Sequence, residues 1–355
     1  MNPYQSLPRE CFWRTGVAET NPLTITGFYR KRFSIAKQDR IATAGSCFAQ
    51  HVTMHLRKRG CAILDTERAP AGLPEDEAKK FGYLIYSARY GNIYTVRQLL
   101  QLVEDAYNKQ VRDEDVWERK GRFYDALRPG VEPEGLSSSD EVKAQRLNHL
   151  SHVRSLFDRT DILIFTLGLT EAWARRDSGT VYPTCPGVIA GEYDEAVYEF
   201  RNFGFPEIYS DFERVRSMLK ERNSNMRFIL TVSPVPLTAT ASGQHVLVAT
   251  TYSKSTLRAV CGAMVEAFDD VDYFPSYELV ANPFWQPSFF ESNKRSVTPD
   301  GVESVMRVFF SEHQFEQASV EVEPVTQETQ TSSERLDSKD DDVVCEEELL
   351  DAFQR

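Results

Sequence analysis

The chain has 355 residues, of which 41% are hydrophobic and 26% charged, the composition of an ordinary soluble protein with a sizeable core. Residues 319–355 hold 12 acidic and 3 basic side chains, a net charge of −9, whereas residues 1–318 hold 41 acids and 38 bases and are close to neutral. A near-neutral body is a poor binder of phosphate backbones, so no nucleic-acid partner is expected.

Short apolar runs predict four buried parallel strands, because each run is continuous rather than alternating and ends in small or polar residues. Amphipathic patterns between and after the runs predict helices. The strands are predicted over 40–44, 161–167, 227–232 and 271–274, and the helices over 47–59, 96–107, 142–157 and from Pro299 onward, with Thr298 as cap. Strands that alternate with helices predict an α/β fold with a doubly wound parallel sheet.

The periodic pattern stops after about residue 316, which places a folded domain over 1–318 and an acidic tail over 319–355. High charge and few periodic apolar residues predict that the tail is disordered. Its last stretch, 343–353, is amphipathic, so a short helix that docks on a protein partner is the alternative to a solvated tail.

Targeting segments and cofactor sites are not expected from the sequence. No apolar run approaches the roughly 20 residues that span a bilayer, and the first residues do not resemble a signal peptide. The six cysteines lie far apart, which argues against zinc and against a disulfide framework and predicts reduced thiols in a cytoplasmic protein. Without a ligand cluster or a dinucleotide-type glycine loop, we expect neither a metal nor an organic cofactor.

The first candidate for chemistry is Ser46, which lies where the first predicted strand turns directly into a helix. A side chain there sits at the carboxyl edge of the sheet and at a helix N-terminus, where free N–H groups stabilise an oxyanion. Gly45 permits the turn. Ser46 is therefore a candidate nucleophile and Cys47 a weaker one, and the alternative is that Ser46 only caps the helix.

The string GSCFA at residues 45–49 resembles the signature of the GSCFA family. Further strings in the same order extend this resemblance over roughly residues 3–315, namely 12–14, 90–94, 168–173, 232–236, 252–254 and 273–278. GSCFA proteins are similar to the SGNH hydrolases, a superfamily of esterases, deacetylases and O-acetyltransferases. The resemblance implies a three-layer α/β/α sandwich with a flavodoxin-like sheet.

The SGNH sequence blocks imply roles for particular residues of this chain. In the first block Ser46 would be the nucleophile, and its own N–H an oxyanion donor. In the second, Gly91 would donate its N–H, assisted by the amide of Asn92. In the third, Thr170 stands where the superfamily has an asparagine, and Glu171 follows it, beside an indole (Trp173) expected to be structural.

The last SGNH block, Asp-x-x-His, is absent here, because Asn293 and Ser296 occupy those two positions. A serine nucleophile needs a base within hydrogen-bond reach, so the base would have to be relocated or the site is inactive. His245 is the preferred base because its loop leaves the third predicted strand at the carboxyl edge. Lys254 is a second candidate, with an ion pair to Glu278 or Glu171 as the alternative.

Two further residues are predicted at the same edge. Ser233 follows the third strand, and we expect it to converge with Ser46, Gly91 and Thr170. Arg295 precedes the last helix, where a guanidinium would bind an anion or a carboxylate, the alternative being a salt bridge to Glu171 or Glu291.

The sequence therefore supports two functions. The first is a serine ester hydrolase or O-acyltransferase, with a carbohydrate ester as the substrate class that the wider superfamily implies. The second is a non-catalytic binding or scaffold protein that has kept the pocket and lost the Asp-x-x-His motif, with the acidic tail as a docking element for a protein partner.

Overall fold

The computed structural model describes residues 2–285, 288–313 and 345–353. In chain order its strands are Ile41–Gly45 (β1), Val116–Arg119 (β2), Arg122–Asp125 (β3), Ile162–Leu167 (β4), Glu171–Arg175 (β5), Val181–Tyr182 (β6), Tyr198–Asn202 (β7), Arg227–Val232 (β8) and Val271–Tyr273 (β9). Its α-helices are Phe48–Lys58 (α1), Glu75–Lys80 (α2), Val96–Asn108 (α3), Ser139–Arg159 (α4), Phe205–Arg222 (α5), Val246–Ala267 (α6), Ser276–Val280 (α7) and Pro299–His313 (α8).

The central sheet has four parallel strands in the order β1-β4-β8-β9, which are the four strands predicted from the sequence. Ile63 adds a parallel bridge to Ile41 on the outer side of β1. Counted with this bridge, the strands run in the spatial order 2-1-3-4-5, that of flavodoxin-like sheets. The predicted α/β fold with a parallel sheet is thus confirmed.

Both faces of the sheet are covered by helices, because alternate side chains of each strand point to opposite sides. On one face, residues such as Leu163 and Phe165 pack in a single cluster with the apolar sides of α3, α4, α5 and α6. On the other face, residues such as Ile162 and Ile164 pack with α1, α7, α8 and the N-terminal segment around Tyr29. Burial on both faces is the reason that the strand sequences read as continuous apolar runs.

The structure also contains elements that the sequence patterns did not predict. A second sheet, of order β6-β5-β7, and a hairpin of β2 and β3 are antiparallel additions to the core. Trp173 lies on β5 and contacts the rings of Tyr193 and Phe200, so the indole is structural as expected.

The end of the chain contains one described element, and the expected disorder of residues 319–355 stays a prediction. Glu346–Phe353 forms a 3₁₀ helix in which Glu346 is buried. The rest of the predicted disordered stretch, 319–344, lies outside the described residues.

Two observations bear on targeting and redox state. All six cysteines are free thiols. Within the described ranges, no helix combines the length and the apolarity that crossing a membrane requires.

Two glycines let the ends of β1 and β4 come together. A Cβ on Gly45, whose φ is +141°, would lie 2.4 Å from the carbonyl oxygen of Thr166. A Cβ on Gly168 would lie 2.8 Å from the Cβ of Ser46. Only glycine fits both places, and the start of α1 is therefore held directly against the exit of β4.

This contact gives the first prediction. We expect Gly45→Ala to lower the free energy of unfolding by about 3 kcal/mol or more, because it adds a backbone clash to an unfavourable φ. Gly179→Ala is the matched control, since Gly179 also has a positive φ (+73°) but open space where a Cβ would stand, and about 1 kcal/mol is expected there. Urea unfolding of both variants measures the difference, and equal losses would contradict the proposed clash.

Candidate active site

The candidate site lies at the carboxyl edge of the central sheet. Ser46 follows β1, Gly168 follows β4, and Ser233 follows β8 with its N–H bonded to the carbonyl of Leu167 at 2.8 Å. The segment before α3 lies at the same edge, where the backbone N–H of Ile93 donates to the carbonyl oxygen of Gly45 at 2.8 Å. The fold thus places the residues after three strands, together with the loop that contains Gly91 and Asn92, at one edge.

Ser46 is buried, with 3% of its surface exposed, and its hydroxyl has no hydrogen-bond partner among the described residues. Its backbone N–H donates to the carbonyl oxygen of Thr166 at 3.1 Å, which extends the β1–β4 ladder by one rung. The expectation that this N–H serves an oxyanion is wrong, because the sheet already uses it. The role of the Ser46 hydroxyl as nucleophile remains a prediction.

Cys47 is the N-cap residue of α1 and is also buried. Its thiol shares a hydrogen bond with the thiol of Cys345 from the C-terminal segment. That bond, together with burial, raises the pKa of Cys47, whereas the bond and the nearby Arg295 lower the pKa of Cys345 to about 6. The two thiols therefore share a proton, and Cys345, which Arg295 contacts directly, is the more acidic of them.

Asn92 is held in one orientation. Its Oδ1 accepts hydrogen bonds from Gln50 at 3.1 Å and from the hydroxyl of Tyr86. The Nδ2 group therefore points into the site, where it donates to the carboxylate of Glu346. Gly91 adopts a left-handed φ of +68°, and Glu346 Oε1 lies 3.7 Å from the place where its Cβ would be. The carboxylate of Glu346 thus occupies the place predicted for an oxyanion.

Thr170 and Glu171 lead into β5. The backbone N–H of Thr170 donates to Ser253 Oγ at 3.0 Å, while its buried hydroxyl has no hydrogen-bond partner in the described part of the chain. Glu171 accepts a hydrogen bond from Thr240 at 2.8 Å, and burial raises its pKa. Thr170 therefore keeps a hydroxyl that can donate, and Glu171 is turned toward Thr240.

Lys254 is fully buried on α6 and donates from Nζ to the carbonyl oxygen of Gly168 at 2.7 Å. Burial lowers its pKa to about 8, and Cys47 and Arg295 are among the charges that act on it. The alternative ion pair with Glu278 or Glu171 is not formed. Glu278 pairs with Arg258 instead.

His245, the preferred base, is not brought to this centre. It is exposed and caps α6, with Nδ1 accepting the N–H of Leu247 at 3.1 Å. Lys254 follows nine residues later on the same helix, which separates the two by roughly 13 Å along the axis. The role of His245 as base stays a prediction without a supporting contact.

The loop before α8 brings a cation to the site. Asn293, at the position of the missing Asp, donates to Ser296, at the position of the missing His, at 2.9 Å. Between them, Arg295 contacts Glu348 at 3.1 Å, Glu347 at 3.4 Å and the sulfur of Cys345 at 3.4 Å. Arg295 therefore binds carboxylates as predicted, but they belong to the C-terminal segment rather than to Glu171 or Glu291.

An apolar cavity of about 470 Å³ adjoins this centre. Leu169, between Gly168 and Thr170, packs against Tyr94 and Leu237 and lines the cavity wall nearest the centre. Most of the remaining wall comes from the second sheet and the loops around it, and Leu350 of the C-terminal segment closes one side. Its aromatic lining consists of Trp173, Tyr182, Tyr193, Phe200 and Phe353, and the carboxyl groups of Glu171, Glu346 and Glu347 also line it.

Sequence reasoning missed two parts of the site. The first is the C-terminal segment, for which the amphipathic pattern of 343–353 was the available signal. The second is the burial of Lys254, for which the signal was the unusually apolar sequence of α6 around a single internal lysine. The convergence of Ser46, Gly91, Thr170 and Ser233 at one edge was predicted because each follows, or opens a loop beside, a strand end, and their catalytic and binding roles stay predictions.

Comparison with known proteins gives a family match and distant structural matches. No curated protein matches the chain. The periplasmic domain of the lipopolysaccharide acetyltransferase of Salmonella ser. Paratyphi A aligns over 78% of this chain and 84% of its own, with 11% identity and a TM-score of 0.32, too weak a likeness to support an argument about function. The family model for GSCFA matches residues 40–309, which is well over half of the sequence. The chain therefore belongs to the GSCFA family.

Proposed function

We propose that this protein cleaves an ester and transfers its acyl group to water or to a hydroxyl acceptor, through a covalent intermediate on Cys47. The observation that carries this proposal is the position of the Cys47 thiol, buried at the N-terminus of α1 within electrostatic reach of the buried Lys254 and Arg295. A helix N-terminus and neighbouring cations stabilise a thiolate once it has formed. Because the hydrogen bond with Cys345 and burial raise the pKa of Cys47, its thiolate forms only when a base takes the proton. The position of Cys47, rather than its acidity at rest, supports it over the Ser46 of the sequence-based hypothesis.

Lys254 supplies the proton acceptor that the missing Asp-x-x-His motif would otherwise provide. With a pKa lowered to about 8 by burial, a substantial fraction of Lys254 is neutral at mildly alkaline pH, and a neutral amine accepts a proton. In the first step Lys254 takes the thiol proton and the sulfur attacks the ester carbonyl carbon. The alkoxide leaving group then takes that proton from the ammonium of Lys254, leaving a thioester on Cys47.

The second half of the cycle uses the same groups. Water or an acceptor hydroxyl loses its proton to neutral Lys254 and attacks the thioester carbonyl, and the sulfur leaves as the thiolate, which Lys254 reprotonates. In both steps the negatively charged oxygen is placed near two hydrogen-bond donors, Asn92 Nδ2 and the hydroxyl of Thr170. Neighbouring side chains hold both residues in place, because Gln50 donates to Asn92 Oδ1 and the backbone N–H of Thr170 donates to Ser253. Donors held in place before reaction are the main source of such stabilisation.

The non-catalytic alternative is favoured by one observation. Asn293 and Ser296 hydrogen-bond to each other, so the loop that would supply a base in an SGNH enzyme forms a closed turn. A protein that only binds its ligand would need the pocket and Arg295 but neither Cys47 nor Lys254. In either case the six free thiols fit the reducing cytoplasm, where we propose the protein acts.

Hydrolysis of p-nitrophenyl acetate by the full chain at pH 8 tests the nucleophile. We expect Cys47→Ala to lower turnover by about 100-fold or more, because the thiol forms the intermediate, while Ser46→Ala stays within about threefold of the wild type. Intact-mass and peptide analysis after rapid acid quench should locate an acetyl group on Cys47. Loss of activity in Ser46→Ala with full activity in Cys47→Ala would assign the reaction to Ser46, and no wild-type turnover at all would support the binding protein.

A second prediction concerns the charge state of Lys254. Its pKa is about 8 in the folded chain and about 10.5 when unfolded, so the unfolded state binds more protons between these values. Burial of the charged ammonium lowers the free energy of unfolding by its full amount below pH 8, and this loss of stability disappears as the pH rises to 10.5. Lys254→Met lacks this penalty, and its advantage in unfolding free energy over wild type should therefore shrink by about 3 kcal/mol from pH 8 to 10.5.

Urea unfolding of both proteins at several pH values measures this difference, in which contributions from other groups cancel. Lys220→Met is the control, because Lys220 is a partly exposed lysine paired with Asp270, away from the site. A difference between Lys254→Met and wild type that does not change with pH would show that Lys254 is not desolvated.

A further inference from the structure

The cavity beside Cys47 has the properties of a site for an apolar chain. Its volume of about 470 Å³ falls in the range of small-ligand sites, and its wall is mostly aromatic and aliphatic. Trp173 is packed edge-on by Tyr193 and Phe200, with ring centroids 5.2 and 5.8 Å away, which fixes the shape of the wall. A fixed apolar wall favours an apolar ligand over a sugar.

The cavity is connected to the reacting groups through Leu169. This residue lies between Gly168, which contacts Ser46 and accepts from Lys254, and Thr170, a proposed oxyanion donor. An acyl group bound to Cys47 with its oxygen toward Thr170 therefore has Leu169 and the cavity beside it. We propose that the cavity binds the acyl chain of the substrate and that this chain is an unbranched apolar one, longer than acetyl; this rests on the proposed acyl transfer.

Chain-length dependence tests the proposal. Each buried CH₂ group is worth about fourfold in binding, so we expect kcat/KM for p-nitrophenyl octanoate to exceed that for the acetate by at least tenfold. Val188→Trp, which fills the cavity from its half-exposed rim, should remove this preference by lowering kcat/KM for the octanoate. Val248→Trp is the matched control on an exposed position of α6, with no expected effect.

A binding measurement separates this site from the reaction. Calorimetric titration with octanamide, which is not hydrolysed as an ester, should show binding to wild type and to Val248→Trp and at least tenfold weaker binding to Val188→Trp. Binding without ester hydrolysis would overturn the proposed reaction and keep the cavity. Hydrolysis without octanamide binding or chain-length preference would overturn the cavity and keep the reaction.

A second inference is carried by the polar contacts of the C-terminal segment. Asn92 Nδ2 and the hydroxyl of Tyr94 both donate to Glu346, the latter at 2.8 Å, and Arg295 contacts Glu347 and Glu348. Glu346 is buried, and Glu347 lies within electrostatic reach of Lys254 as well as of Arg295. Carboxylates of the chain's own terminus thus neutralise the cations and use the donors that an ester would need.

We infer that Cys345–Phe353 is an internal ligand of the site and competes with substrate. The same segment bonds the Cys47 thiol through Cys345 and occupies the donors of Asn92 and Tyr94 with Glu346, so an ester at Cys47 and the docked segment exclude each other. Release of the segment should therefore expose Cys47 and raise turnover of a small ester.

Iodoacetamide labelling of the full chain, read out by peptide mass spectrometry, tests this inference. In wild type we expect the buried Cys47 to react at least tenfold more slowly than the exposed Cys11. The variant Glu346→Ala with Leu350→Ala should accelerate the reaction of Cys47 by at least tenfold and raise p-nitrophenyl acetate turnover. Cys11 is the internal standard, and the buried Cys261 must stay unlabelled as proof of folding.

Leu349→Ala is the matched control, because it removes a leucine from an exposed position of the same helix. The inference is overturned if Cys47 of wild type reacts as fast as Cys11, or if the control variant accelerates Cys47 as much as the test variant does.

Discussion

The candidate site depends on the close approach of the exits of β1 and β4. Gly45 and Gly168 leave no room for a Cβ between them, so the chain after β1 enters α1 in contact with the chain after β4. The Ser46 N–H then completes the parallel ladder, and Cys47 becomes the first residue whose side chain is free of the sheet. The N-terminus of α1, Gly168 and the carbonyl that Lys254 binds are thereby placed together by the core itself.

A second constraint follows from the two cations placed beside that contact. A buried ammonium or guanidinium without a counter-charge costs several kcal/mol, so a site with Lys254 and Arg295 favours the binding of anions. In this structure Glu348 and Cys345, whose pKa is lowered to about 6, supply negative charge to Arg295, whereas burial raises the pKa of Glu347 to about 8 and lowers that of Lys254 to about 8. An ester substrate would supply negative charge to these cations only during the reaction, when its carbonyl oxygen becomes an oxyanion.

The sequence predicted the central sheet because each of its strands is buried on both faces and therefore reads as an unbroken apolar run. It predicted Arg295 as a carboxylate binder from its place before the last helix. It did not predict β5–β7, since these short strands are half exposed, with charged residues such as Glu199 and Arg201 among them. The prediction for His245 shows a further limit of sequence reasoning. The order of elements along the chain predicts the edge of the sheet at which a loop lies, but it does not predict whether a side chain of that loop points into the site or caps a helix.

The charges around the site are consistent with the absence of the Asp-x-x-His motif. In this chain the loop before α8 delivers Arg295, a permanent cation that cannot accept a proton, so any base must come from another element. The charge of Arg295 acts to lower the pKa of Lys254, which favours the neutral amine that can accept a proton. It acts in the same direction on Cys47, but the hydrogen bond with Cys345 and burial outweigh it and raise the pKa of that thiol, so Cys47 becomes a thiolate only when Lys254 takes its proton. Replacing the base with a cation therefore suits a thiol nucleophile served by a buried lysine better than it suits a serine.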